Sequence, residues 1–220
     1  MGNFVDLKAE DGHDLMAYVA KAEGNAKGAI VIIQEIFGVN PHIQSVCDGY
    51  AKAGYTAIAP ALFDRIKPGI ELGYTEEGVK TGLEYKNTIE PDTALKDVKA
   101  AVDYISSVGK VTVIGYCWGG LLTYLSACKL DGIFKAVGYY GGGIGNYVDN
   151  TPQVPTLLHF GDQDHAIPLD EVEAVKKAHP EVEVHIYAAG HGFNCDARGS
   201  YDKASADLAL DRTLKFIEGA

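Results

Sequence analysis

The sequence predicts an α/β fold: a mostly parallel central sheet with helices on both faces and an N-terminal antiparallel hairpin. Two observations carry that prediction. Short runs rich in Val and Ile, apolar at nearly every position, recur along the chain and read as strands buried on both faces. Stretches of helical periodicity separate them, and strand alternating with helix implies βαβ units.

The opening follows a different grammar. Residues 4–8 and 15–19 flank the turn signal Glu10-Asp11-Gly12 with alternating polarity, the pattern of a hairpin. Buried-strand runs then fall at 29–33, 55–59, 111–114, 136–140, 156–160 and 182–187. Helical stretches fall at 41–53, 92–106, 118–129, 169–178 and 201–217, with Pro41 opening the first and Gly54 closing it. Residues 64–90 carry scattered glycines and weak periodicity. So long a connection is expected to act as a lid or binding loop that supplies substrate contacts. There is no internal repeat, and residues 1–220 are expected to form one domain with a full hydrophobic core.

Composition narrows the function. With 220 residues, 47% of them hydrophobic, and a net charge of −11, the chain lacks the basic stripe that a phosphate backbone demands, so no nucleic-acid partner is expected. No apolar run approaches the roughly 18 to 20 residues of a bilayer span, and Met1-Gly-Asn-Phe-Val-Asp6 does not read as a signal peptide. No membrane partner is expected, and the expected location is the cytoplasm. The four cysteines, Cys47, Cys117, Cys128 and Cys195, form no CxxC pair, which favours reduced thiols over a disulfide framework or zinc knuckle. No histidine has metal-ligand spacing, so no cofactor is expected. A monomer or small homo-oligomer acting on a small molecule fits these limits.

The sharpest motif is VTVIGYCWGG (111–120): a strand, a tight G-x-C-x-G turn and then a helical run. This is a nucleophile elbow with sulfur in place of oxygen. Strand and helix approach so closely there that side chains at 115 and 119 would clash, which explains Gly115 and Gly119. Cys117 would stand at a helix N-terminus, where the dipole and free N–H groups favour a thiolate. A buried structural cysteine is the plainer alternative. An elbow nucleophile requires an acid and a histidine later in the chain. GDQDH (161–165) follows a buried strand and offers Asp162 and Asp164; the first suits the turn itself, so Asp164 is expected to orient the base. His191, in GHGF (190–193), also follows a strand and is the expected base. His159 reads as a core residue and His165 as a loop residue, while His13, His42, His179 and His185 read as surface positions.

A third strand ends in QEIFG (34–38), placing Glu35 where its loop should border the elbow. An acid there is either used or paired, a salt-bridged or solvated loop residue being the plainer reading. The backbone amides of Ile36 and Trp118 are the expected oxyanion-hole pair, because this loop and the residue after the nucleophile supply those donors in the hydrolase fold.

Together QEIFG, GYCWGG (115–120), GYYGGG (138–143), GDQDH and GHGF resemble the dienelactone hydrolase family, also called carboxymethylenebutenolidases, from the hairpin to the last helix. The resemblance implies an α/β-hydrolase fold and a hydrolase that opens a small lactone or ester. It implies that Cys117, Asp164 and His191 form the triad, with Glu35 contacting the thiol and helping to deprotonate it. The best-known members clamp an anionic lactone with two arginines, and this chain has only Arg65, Arg198 and Arg212. Arg198 follows the histidine as the family's arginine does, at longer spacing. The second clamp has no clean counterpart; Lys80 and Tyr85 lie in the matching loop. Tyr139 is placed at the pocket with Tyr140, core packing being the alternative for both.

Two other function classes compete. A thiol-based redox or ligand-binding regulator could use Cys117 without turnover, but it has no use for the later acid and histidine. Nucleotide binding through Gly141-Gly-Gly-Ile-Gly145 lacks a completed phosphate-binding motif.

Overall fold

The computed structural model describes residues 2–219. Strands β1 (Asn3–Lys8), β2 (Asp14–Ala20), β3 (Ala29–Ile33), β4 (Thr56–Pro60), β5 (Val111–Tyr116), β6 (Lys135–Tyr139), β7 (Thr156–Gly161) and β8 (Glu183–Tyr187) join in one sheet. Their order is β1-β2-β4-β3-β5-β6-β7-β8. The hairpin β1–β2 and the β2–β4 pair are antiparallel, and the remaining pairs are parallel.

The helices are α1 (Pro41–Lys52), α2 (Glu76–Thr88), α3 (Pro91–Ile105), α4 (Trp118–Lys129), α5 (Leu169–Ala178) and α6 (Lys203–Glu218). The apolar strand runs arise because both faces of the sheet are covered. On β3, Ile30 and Ile32 enter one core with Ile43 and Tyr50 of α1, while Val31 and Ile33 enter the other with Val98 and Val102 of α3. Alternation of successive side chains distributes one strand between two cores.

The stretch 64–90 departs from the expectation of a loop. After a short 3-10 turn at Leu62–Arg65 it forms α2, whose N-cap Thr75 accepts a hydrogen bond from the Gly78 amide at 3.1 Å. The signal was present as Thr75-Glu76-Glu77 followed by Val79, Leu83 and Lys86 at helical spacing, but Gly78 and Gly82 weakened it. Those glycines serve packing: a Cβ on Gly82 would lie 2.0 Å from the Ile36 carbonyl oxygen. His179 is also corrected, being 4% exposed, with Nε2 within 2.7 Å of the Val148 carbonyl oxygen.

Beneath the sheet, His159 is fully buried, with Nδ1 2.8 Å from the Tyr187 hydroxyl and Nε2 3.0 Å from Thr213 Oγ1. Burial first, then the nearby positive potential of His185 and Arg212, pushes its pKa down to about 3. The unfolded chain takes up this proton near the ordinary value of 6.5, the folded chain only near 3. Stability from a neutral His159 is therefore complete above pH 6.5 and is lost as pH falls toward 3. The expected slope from this group is about 1 kcal/mol per pH unit. Thermal melts across this range should show a flatter acid dependence for His159→Asn than for wild type; equal slopes would assign the acid sensitivity to other groups.

Candidate active site

The β5–α4 junction brings Cys117 to the carboxyl edge of the sheet with φ 55° and ψ −117°, a left-handed conformation that only a surrounding structure enforces on a non-glycine residue. The enforcement is visible in the glycines. A Cβ on Gly115 would meet the Gly119 carbonyl oxygen at 2.0 Å, and one on Gly119 would meet the Ile33 carbonyl oxygen at 2.3 Å. The Cys117 amide donates to the Tyr139 carbonyl at 3.0 Å, anchoring the turn to β6.

Loops after β7 and β8 deliver the other two groups. His191 Nε2 lies 3.1 Å from Cys117 Sγ, and His191 Nδ1 lies 2.7 Å from Asp164 Oδ2. Asp164 is buried and its Oδ1 accepts from the Ala166 amide at 2.8 Å, whereas Asp162 is exposed and its amide closes the turn to Tyr187. Burial opposes a charge on His191, but the Asp164 hydrogen bond and the Cys117 sulfur outweigh it and raise its pKa to about 10. A protonated imidazole in this position is the natural partner of a thiolate.

The sulfur opens into a cleft of about 430 Å³. Ile36, Phe37 and Trp118 form the wall beside it, Gly142, Gly143 and Ile167 border it, and α2 covers it with Val79, Leu83 and Lys86. Trp118 begins α4, so its amide has no intrahelical acceptor, and the Ile36 amide makes no hydrogen bond among the described residues. Both border the same cleft as Cys117.

Three expected substrate contacts lie elsewhere. On α2, 100° of rotation per residue turns Val79, Leu83 and Lys86 toward the cleft, leaving Lys80 exposed on the outside. Tyr85 packs edge-on against Phe63 at 5.5 Å between ring centroids. Tyr139 is fully buried with its hydroxyl 2.6 Å from Thr213 Oγ1, because strand alternation turns it under the sheet. Its neighbour Tyr140 leaves the strand at φ 37° and sets its ring 5.2 Å from that of His191.

Glu35 is 1% exposed, but the expected thiol contact is absent among the described residues. Its Oε1 instead accepts from Arg198 Nη1 at 3.1 Å, and its Oε2 lies 3.5 Å from the Tyr74 hydroxyl. Arg198 meets both the cleft and this carboxylate. Cys195 is fully buried and forms no disulfide; burial, then the Glu35 charge, raises its thiol pKa to about 11. No described helix is long and apolar enough to cross a membrane.

An elbow on the fifth strand, with an acid and a histidine on later loops of a largely parallel sheet, defines a protein of the α/β-hydrolase fold. The sequence model of the dienelactone hydrolase family matches residues 15–220. The chain is 34% identical to the carboxymethylenebutenolidase of Pseudomonas putida over 225 residues, covering 97% of this chain and 94% of that one. It is 37% identical to the "Putative carboxymethylenebutenolidase" of Synechocystis sp. over 209 residues, 86% of this chain and 85% of the relative. Among solved structures, the "Putative Dienelactone Hydrolase" of Klebsiella pneumoniae superimposes with a TM-score of 0.85 at 27% identity, covering 99% of this chain and all of that one. The chain belongs to the dienelactone hydrolase family, and it is a carboxylic ester hydrolase.

Proposed function

We propose that this hydrolase opens small carboxylate-bearing esters or lactones through a thioester on Cys117. The observation that carries the reading is the continuous chain Asp164–His191–Cys117, with contacts of 2.7 and 3.1 Å, opening into a cleft lined by two cations, Lys86 and Arg198. The Cys117 thiolate adds to the carbonyl carbon, and the resulting oxyanion is held by the Ile36 and Trp118 amides. Collapse breaks the ester C–O bond, the leaving oxygen takes a proton from His191, and the acyl group stays on sulfur. His191 then accepts a proton from water, whose oxygen attacks the thioester and releases the acid, regenerating the thiolate. Asp164 holds the imidazole tautomer and stabilises its charged form throughout.

Lys86 takes the part in anion recognition expected of Lys80 and Tyr85, supplying a point charge without the fork of an arginine. In a chain of net charge −11, anionic substrates need such local cations. Before turnover Glu35 serves to accept the thiol proton when it swings from Arg198 toward Cys117, leaving the thiolate paired with an already protonated His191 that later protonates the leaving oxygen, and the motion also frees Arg198 to bind the substrate carboxylate. Four unpaired cysteines suit a reducing compartment, and we place the enzyme in the cytoplasm as a single domain.

The test is hydrolysis of an anionic dienelactone and a neutral aryl ester of similar size. Lys86→Met is expected to raise KM for the anionic substrate about tenfold with little change for the neutral one. Equal effects on both substrates would remove Lys86 from anion recognition, and failure of wild type to open either would overturn the hydrolytic reading.

A further inference from the structure

Three ligand-type side chains from separate stretches converge beside the catalytic cleft: Glu35 after β3, His42 in the first turn of α1 and Cys195 in the loop after His191. One carboxylate oxygen, one imidazole nitrogen and the sulfur all lie within 4.8 Å of one another. Glu35 and Cys195 are 1% and 0% exposed, and the His42 side chain is 7% exposed. The imidazole is the informative member. Its Nδ1 is 3.1 Å from Oδ1 of Asp196, an exposed carboxylate, while its Nε2 is buried without a hydrogen-bond partner among the described residues. A buried nitrogen left unpaired is unfavourable unless something occupies it. A carboxylate on one nitrogen with the other left free is how proteins orient a metal-binding histidine.

We propose that Glu35, His42 and Cys195 form a binding site for a divalent transition metal of the zinc type. One sulfur, one imidazole nitrogen and one carboxylate oxygen form a donor set suited to zinc and poorly suited to magnesium or calcium, and they leave a fourth position for water. Zinc–ligand bonds of about 2.0 to 2.3 Å place tetrahedral ligands about 3.3 to 3.8 Å apart, so closing on the ion needs a contraction of about 1 Å, within the reach of side-chain rotation. Binding converts the Cys195 thiol to thiolate and releases its proton to solvent, so affinity rises with pH.

The opposing group is Arg198, whose Nη1 lies 3.1 Å from Glu35 Oε1. Metal and guanidinium compete for this carboxylate. Occupancy therefore weakens the Arg198 tie and pins Glu35 among His42 and Cys195, away from Cys117. This consequence for turnover rests on the role proposed for Glu35, whereas binding itself does not.

The experiment is calorimetric titration of the full chain with Zn2+, accompanied by Co2+ absorption to detect thiolate coordination. Wild type and Cys117→Ala are both expected to bind one ion per chain with a cobalt–thiolate band, which separates this site from the catalytic sulfur. His42→Gln and Cys195→Ser are expected to lose stoichiometric binding, and Asp196→Asn to weaken it about tenfold. His42→Gln and Asp196→Asn should retain basal ester hydrolysis and the wild-type circular dichroism spectrum. If Cys195→Ser fails to fold, those two variants still decide. No stoichiometric binding by wild type, loss of binding in Cys117→Ala, or full affinity in His42→Gln would each overturn the proposal.

Discussion

Replacing Cys117 by alanine is expected to lower kcat for ester hydrolysis by at least about four orders of magnitude and to leave the fold in place. The elbow does not depend on sulfur. Its shape is set by the closeness of Gly115 to the Gly119 carbonyl and of Gly119 to the Ile33 carbonyl, and by the amide of residue 117 donating to Tyr139. Alanine retains that amide, and its Cβ meets the same left-handed strain that cysteine already bears at φ 55°. What it removes is the atom that faces His191 across 3.1 Å. Far-UV circular dichroism and the thermal midpoint should therefore stay near wild type while single-turnover kinetics show no acyl-enzyme. Retention of more than about one per cent of wild-type kcat would reject sulfur as the nucleophile.

Asp164→Asn is expected to cost about three to four orders of magnitude in kcat, and Asp162→Asn less than about tenfold. The asymmetry follows from the hydrogen bonds. Oδ1 of Asp164 accepts from the Ala166 amide and Oδ2 faces His191 Nδ1. An asparagine whose oxygen remains on Ala166 turns its NH2 toward the imidazole, so Nδ1 must accept and Nε2 carries the proton toward sulfur. That is the wrong tautomer for a base. Asp162 is exposed and engages Tyr187 through its backbone, which the substitution keeps. A larger loss in Asp162→Asn than in Asp164→Asn would reverse the assignment.

Much of this arrangement was legible before any coordinates. The apolar runs of β3, β4 and β5 announced strands covered on both faces, and the structure divides each between two cores. The motif around Cys117 was legible because its glycines stand at fixed offsets from the nucleophile: Gly115 is needed beside the Gly119 carbonyl within the turn, and Gly119 where the turn passes the Ile33 carbonyl of β3. The order of elbow, acid and histidine followed from a sheet that gathers its loops at one edge. By contrast, Gly78 and Gly82 lower the helix propensity of α2 and mask it in the sequence, and only the approach of Gly78 to the Gly73 carbonyl and of Gly82 to the Ile36 carbonyl explains their presence.

Composition and local pattern thus determined the fold class, the elbow and the chain order of the groups brought to the sheet edge. These depend on periodicity and on glycines at fixed offsets from the nucleophile, both written in the chain itself. Tertiary structure alone decided that Lys86 and not Lys80 faces the cleft, that Tyr140 and not Tyr139 meets His191, that Glu35 pairs with Arg198, and that His42 reaches the neighbourhood of Cys195. The first two outcomes are set by phase, because a one-residue step turns a side chain by 100° on a helix or to the opposite face of a strand; the last two are set by loops that meet only in the folded chain, Glu35 after β3 and Cys195 and Arg198 after β8.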